Sequence, residues 1–295
     1  MLLTGIVDYA GLFPPAALAM EPAVHEYAAY LADPHRFMLG RFVVPVARLP
    51  EFERAVVGLL PVGPDAAPWQ LTALAGPDVE ADLELVRQFN ARHDATSSQG
   101  RAEVDALEIK ASSTAEIASA MSRMPSEIEA FFEVPVDPDP APLLGEIRRS
   151  GGKAKIRTGG ITTEAFPTPA AVTRFIVGCA TQGVGFKATA GLHHPIRGEY
   201  RLTYEPVPPV GTMYGYLNVF LSAAFARTGN DAEWIERVLT ERDPKAFVFS
   251  DAAVTYDGRT IPVEALSATR DTFAVSFGSC SFREPVDDLL ALHLL

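Results

Sequence analysis

The chain has 295 residues, 48% of them hydrophobic, with 37 acidic against 25 basic side chains and a net charge of -12. That length and hydrophobic share suffice for a sizeable core, while the acidic balance speaks against a nucleic acid or an anionic membrane as partner, since both are held by surplus basic surface. The two cysteines, Cys179 and Cys280, are too distant for a metal knuckle or a disulfide framework.

The opening Met1-Leu2-Leu3-Thr4-Gly5-Ile6-Val7-Asp8 has no basic start and meets a carboxylate at once. The expectation is neither signal peptide nor membrane anchor, and a cytoplasmic protein. Short β-branched or aromatic runs then alternate with segments of helical period, the grammar of repeated βαβ units. Strands are predicted over residues 5–8, 37–45, 69–75, 104–111, 130–136, 153–158, 185–190 and 273–277. Between them, 78–93 places Val79, Leu83, Val86 and Phe89 on one helical face. The helix at 169–182 has Thr168 as cap, Pro169 at its first position and Gly183 as stop. Leu143, Leu144 and Ile147 before Gly151-Gly152 repeat the pattern, and a last helix is predicted at 286–294.

Eight strand-helix units predict an α/β fold, a (β/α)8 TIM barrel forming one domain over 1–295; a doubly wound open sheet is the second choice. Residues 192–270 are too long for a plain connection and read as an insertion in the loop after the seventh strand, a lid or an oligomer contact. It holds an apolar helix at 214–227, a second helix at 231–242 and a hairpin around Asp257-Gly258.

In such a barrel, catalytic groups stand at the C-terminal ends of strands. The fourth strand ends Leu107-Glu108-Ile109-Lys110, the fifth Phe132-Glu133, the sixth Lys153-Ala154-Lys155-Ile156-Arg157 and the seventh Phe186-Lys187. Period-two alternation sets Glu108 with Lys110, and Lys153 with Lys155 and Arg157, on faces that point into the barrel. Buried charge needs compensation, so these residues form either an ion-pair layer or a working site. Lys155 and Lys187 lie on neighbouring strands. Like charge and burial lower a lysine pKa, and a neutral amine attacks carbonyl carbon, with Glu108 or Glu133 moving protons.

The segment Lys155-Ile156-Arg157-Thr158-Gly159-Gly160, followed after a helix by Gly185-Phe186-Lys187-Ala188-Thr189-Ala190-Gly191-Leu192, resembles the two-lysine signature of deoxyribose-phosphate aldolase and related class I aldolases. The resemblance implies a TIM barrel, Lys155 as the Schiff-base lysine, Lys187 as the lysine that depresses its pKa, and Glu108 in the place of a proton-transferring aspartate. It also implies that the turn Phe277-Gly278-Ser279-Cys280-Ser281 cradles a phosphate with backbone N–H groups. Arg157 departs from the family's serine, Gly160 from its aromatic, Ala190 from the first of two glycines, and Glu133 from a lysine.

Further candidates for substrate binding are Arg41, Arg157 and Lys110 as anion-holding cations, Asp8 and Tyr9 at the pocket rim, His193 and His194, and Gly278, Ser279 and Cys280 of the last turn. One of the two histidines, with Glu108 or Glu133, could instead bind a divalent metal. Asn218 reads as a satisfied core amide. The first expectation is a lyase, aldolase-like, acting on a small carbonyl substrate through a lysine Schiff base with no cofactor. The alternatives are a divalent-metal-dependent barrel enzyme, and a non-catalytic binding or scaffold barrel whose mouth would be closed. The expected partner is a small molecule, with no nucleic acid and no membrane, and the apolar helix at 214–227 is compatible with a homodimer.

Overall fold

The structure, a computed structural model, describes residues 2–295. Seven strands, β1 (Val7–Tyr9), β2 (Leu39–Pro45), β3 (Trp69–Leu74), β4 (Ala102–Lys110), β5 (Glu129–Glu133), β6 (Lys153–Arg157) and β7 (Phe186–Thr189), run parallel with an eighth, Ala274–Ser279, which bonds to β7 on one side and β1 on the other. The sheet is thereby closed into a (β/α)8 barrel. Helices α1 (Met20–Leu31), α2 (Leu49–Ala55), α3 (Val79–Arg92), α4 (Thr114–Met121), α5 (Ala141–Ser150) and α6 (Pro169–Gln182) lie between the first seven strands.

The caps have physical causes that the sequence displays. Thr168 accepts a hydrogen bond from the Ala171 amide with Pro169 beside it, and Gly183 ends α6 in the left-handed region at φ 67°. Gly151, at φ 84°, does the same for α5. Strand ends differ from expectation by a few residues. Gly5 sits at φ 57°, outside β1. The last strand runs on through Gly278 and Ser279, which pair with Asp8 and Tyr9, so two residues of the expected turn are strand.

Between β7 and the last strand lie β8 (Gly198–Arg201) and β9 (Val210–Met213), a hairpin; then α7 (Tyr216–Arg227), α8 (Ala232–Thr240), an antiparallel sheet of β10 (Phe247–Phe249), β11 (Ala253–Tyr256) and β12 (Arg259–Pro262), and α9 (Val263–Thr272); the last strand, β13, precedes α10 (Arg283–Ala291). The predicted hairpin at Asp257-Gly258 is the β11–β12 turn. Within 192–270, α7 does the work of the barrel's own seventh helix. Tyr216 to Phe225 are all buried, and the Tyr216 ring stacks on Phe277 of β13 with centroids 4.9 Å apart. Its apolar surface is covered by this chain, packed among α6, α8 and α9, which leaves it no open face for a second copy. Asn218 is saturated: its amide nitrogen donates to the carbonyls of Val238 and Glu241, and its oxygen accepts from the Arg197 amide. Among the described residues no helix is long and apolar enough to cross a membrane.

Candidate active site

Alternate residues of each barrel strand face inward, and here the inward set is ionic and layered. Toward the N-terminal end, Arg41 of β2 grips Asp105 of β4 with two nitrogens, at 2.7 and 2.8 Å, and reaches Glu129 of β5 at 3.3 Å, while Lys153 of β6 pairs with the same Glu129. Arg41 is therefore not an anion clamp at the mouth. It lies on the early part of β2, and its charge is taken up by Asp105 and Glu129.

The second layer lies above the first. Lys155 Nζ stands 2.5 Å from Glu108 Oε2 and 2.8 Å from Glu133 Oε2; Lys187 Nζ stands 2.6 Å from Glu108 Oε1 and 2.6 Å from Asp8 Oδ2. Adjacent register brings them together, since Lys155 pairs with Glu133 on one side and Lys187 on the other. Asp8 also accepts from Ser276 Oγ at 2.8 Å and from the Arg41 amide at 3.0 Å. Gly40 makes room for it, as a Cβ there would lie 2.4 Å from Asp8 Oδ1. The expected rim position of Asp8 is corrected: it is buried beneath the mouth, where Lys187 needs a counter-charge. Tyr9 points the other way, out of the barrel, and donates to Glu26 of α1.

Burial alone would raise the Glu108 carboxyl, but the two ammonium groups outweigh it and hold it at about 2. Burial would lower Lys187; Asp8 and Glu108 outweigh it and raise its pKa above the ordinary value. Lys187 is thus an ammonium fixed between two carboxylates, not an amine.

Over this layer opens a cavity of about 230 Å³ bordered by Glu108, Lys155, Arg157, His193, Gly278 and Cys280, with Phe13 and Ile161 on its walls. The mouth is open, unlike that of a closed scaffold barrel. Lys187 and Asp8 do not reach it. Arg157, one step past Lys155 on the same face, is exposed and has no ion-pair partner among the described residues. It borders both this cavity and an outer groove that contains Lys110 and Glu133. Lys110 does not point into the barrel: as the last residue of β4 it is exposed at the rim, in that outer groove.

The histidines part company. His193 borders the cavity, and its Nδ1 lies 3.0 Å from Glu284 Oε2 of α10, 3.4 Å from Ser279 Oγ and 4.0 Å from Cys280 Sγ. Burial would lower its pKa; Cys280 and Glu284 raise it to about 9. His194 turns away to Asp288 at 2.6 Å and stacks on Tyr200. Neither reaches Glu108 or Glu133, whose carboxylates are engaged by lysines, and among the described residues no group of three or more His, Cys, Asp or Glu side chains is arranged to hold a metal ion.

Sequence reasoning missed Glu129, although period two from Glu133 puts it on the inward face, and it missed Glu284 and Tyr204. Tyr204 donates to Glu284 at 2.9 Å and lies 3.5 Å from Cys280 Sγ. No family model matches the chain, and neither a curated protein nor a solved structure matches it.

Proposed function

We propose that this chain is an enzyme of the class I aldolase type, a lyase in which the Lys155 amine condenses with the carbonyl carbon of a small substrate. One observation carries the reading: Lys155 is the lysine that borders the mouth cavity, and a carboxylate stands on each side of it, at 2.5 and 2.8 Å. The barrel fold itself commonly carries enzymes.

The two carboxylates have different tasks. Glu108, held near 2 by two ammonium groups, is too weak a base to take the lysine proton and serves as a fixed anion. Glu133, which bonds Lys155 and also borders the outer groove, takes the proton and frees the amine. The amine lone pair forms the C–N bond, the carbonyl electrons pass to oxygen, and Glu133 returns the proton there. Loss of water leaves a protonated imine beside Glu108. That imine draws in the electron pair of the bond between the substrate's α and β carbons, giving an enamine, as the β-hydroxyl gives its proton to Glu133 and departs as a carbonyl product; return of that proton to the α carbon and addition of one water then release the second product and restore Lys155. Lys187 differs from its role in the resembling family, because Glu108 stands between the two lysines; here Lys187 keeps Glu108 ionised.

Borohydride reduction in the presence of short aldehydes, ketones and oxo acids, followed by peptide mass spectrometry, tests the reading. The expected result is a reduced adduct on Lys155 and none in Lys155→Arg. No adduct on Lys155 with any member of the panel overturns it.

A further inference from the structure

We propose that the substrate is a short oxo acid, whose carboxylate is held by Arg157 and His193 while its carbonyl meets Lys155. This rests on the reading of Lys155 above and adds the class of molecule.

The argument begins with charge. Three basic side chains, Lys155, Arg157 and His193, border the cavity against one carboxylate, Glu108, both of whose oxygens already bond lysines. In a chain of net charge -12, such a lining favours an anion. Arg157 has no carboxylate of its own among the described residues and offers a planar donor fork suited to one. His193 is held from behind: Glu284 takes Nδ1, and Tyr204 donates to the same Glu284 oxygen. Its Nε2 has no hydrogen-bond partner among the described residues, and His193 borders the cavity. With its pKa raised to about 9, the ring is an imidazolium at neutral pH and presents a charged donor there.

Size and the last turn then choose between anions. At about 230 Å³ the cavity falls below the roughly 300–1,000 Å³ typical of sites for drug-sized ligands, which fits a molecule of a few carbons. The turn after β13, where the resemblance implies a phosphate, is occupied by the chain's own groups. The Ser281 amide donates to Ser279 Oγ, the Glu284 amide to Ser281 Oγ, and Glu284 sets a carboxylate in the first turn of α10. A phosphate there would meet that carboxylate. Side-chain donors remain, and they suit a carboxylate beside the carbonyl. Glu284 and Tyr204 are positioning residues for His193.

Calorimetric titration with oxalate, which has the carboxylates but no ketone to trap, and with inorganic phosphate tests this. Oxalate is expected to bind more tightly than phosphate, and Arg157→Gln and His193→Gln are each expected to weaken it at least about ten-fold, the loss of one hydrogen bond to a charged group. Arg157 is exposed and unpaired, so its variant keeps the fold. Phosphate binding as tightly as oxalate, or oxalate affinity unchanged in both variants, overturns the proposal. Lys155→Arg separates the two readings: it is expected to bind oxalate yet give no borohydride adduct with pyruvate. Oxalate binding in a wild-type protein that gives no adduct with any member of the carbonyl panel overturns the imine and leaves the carboxylate site standing. Adducts with acetaldehyde as readily as with pyruvate, without oxalate binding, do the reverse.

Discussion

Each oxygen of the Glu108 carboxylate holds a different ammonium group, Lys155 on one and Lys187 on the other. A folded-state value of about 2 against the ordinary 4.5 means that the stabilisation from this carboxylate is complete above pH 4.5 and is lost as the pH falls toward about 2. The urea midpoint of the wild type is therefore expected to fall more steeply across that window than that of Glu108→Gln, with the difference vanishing at the acid end; parallel curves would contradict the assignment. Glu108, Glu133, Lys155 and Lys187 were all legible in the sequence, since two-residue periodicity in a buried strand leaves charge only one side to face. What did not follow was the state of Lys187, because its partner Asp8 comes from the opposite end of the chain. The link between His193 and Glu284 was hidden for the same reason: it joins the loop after β7 to α10, and no local spacing encodes it.

The connections after β6 and β7 touch one another beside the mouth. A Cβ on Gly191, which sits at φ 68°, would come within 2.7 Å of the Phe166 ring and 3.0 Å of the Gly159 backbone, and one on Gly159 would lie 2.3 Å from Phe166. These two glycines let the loop that carries His193 pack against the loop that follows Arg157. Gly191→Ala is expected to lower stability by about 1–3 kcal/mol through strain and overpacking and to weaken oxalate binding as the two loops separate, whereas Gly229→Ala, also at positive φ but facing open space, should cost stability alone. Titration and urea denaturation on the two variants check this. The helix α6, capped at both ends, was readable to the residue, whereas for α5, whose start has no side-chain cap, only the apolar face and the glycine stop were. Lys110 was misjudged because the inward face of β4 ends at Glu108, and one further alternation lands on the rim. The helix α7 read as insertion because its continuous apolar composition shows burial but not what it is buried against.

Beside the β1–β13 pairing that closes the barrel stands Arg270 at the end of α9. Its guanidinium donates to the carbonyls of Leu2 at 2.8 Å, Thr4 at 3.0 Å, Ala274 and Val275, so it stitches the start of the chain to β13, where β1 completes the ring. Arg270→Met leaves those carbonyls without their donor and is expected to cost on the order of 3 kcal/mol, read as a lower urea midpoint with oxalate affinity preserved, because the mouth lies at the other end. Eight strands were visible in the sequence through the alternation of strand and helix, and their number favoured a closed barrel over an open sheet. The Arg270 contact was not visible, since it joins residues some 270 positions apart.

The two ionic storeys have a consequence for the covalent cycle. Lys155 carries one positive charge as an ammonium and would carry one again as a protonated imine, so Glu108, Lys187 and the paired charges below them would experience the same field before and after the bond to substrate forms. The barrel interior then behaves as a socket wired for a fixed charge, into which different carbon skeletons can be plugged without its dipoles having to turn.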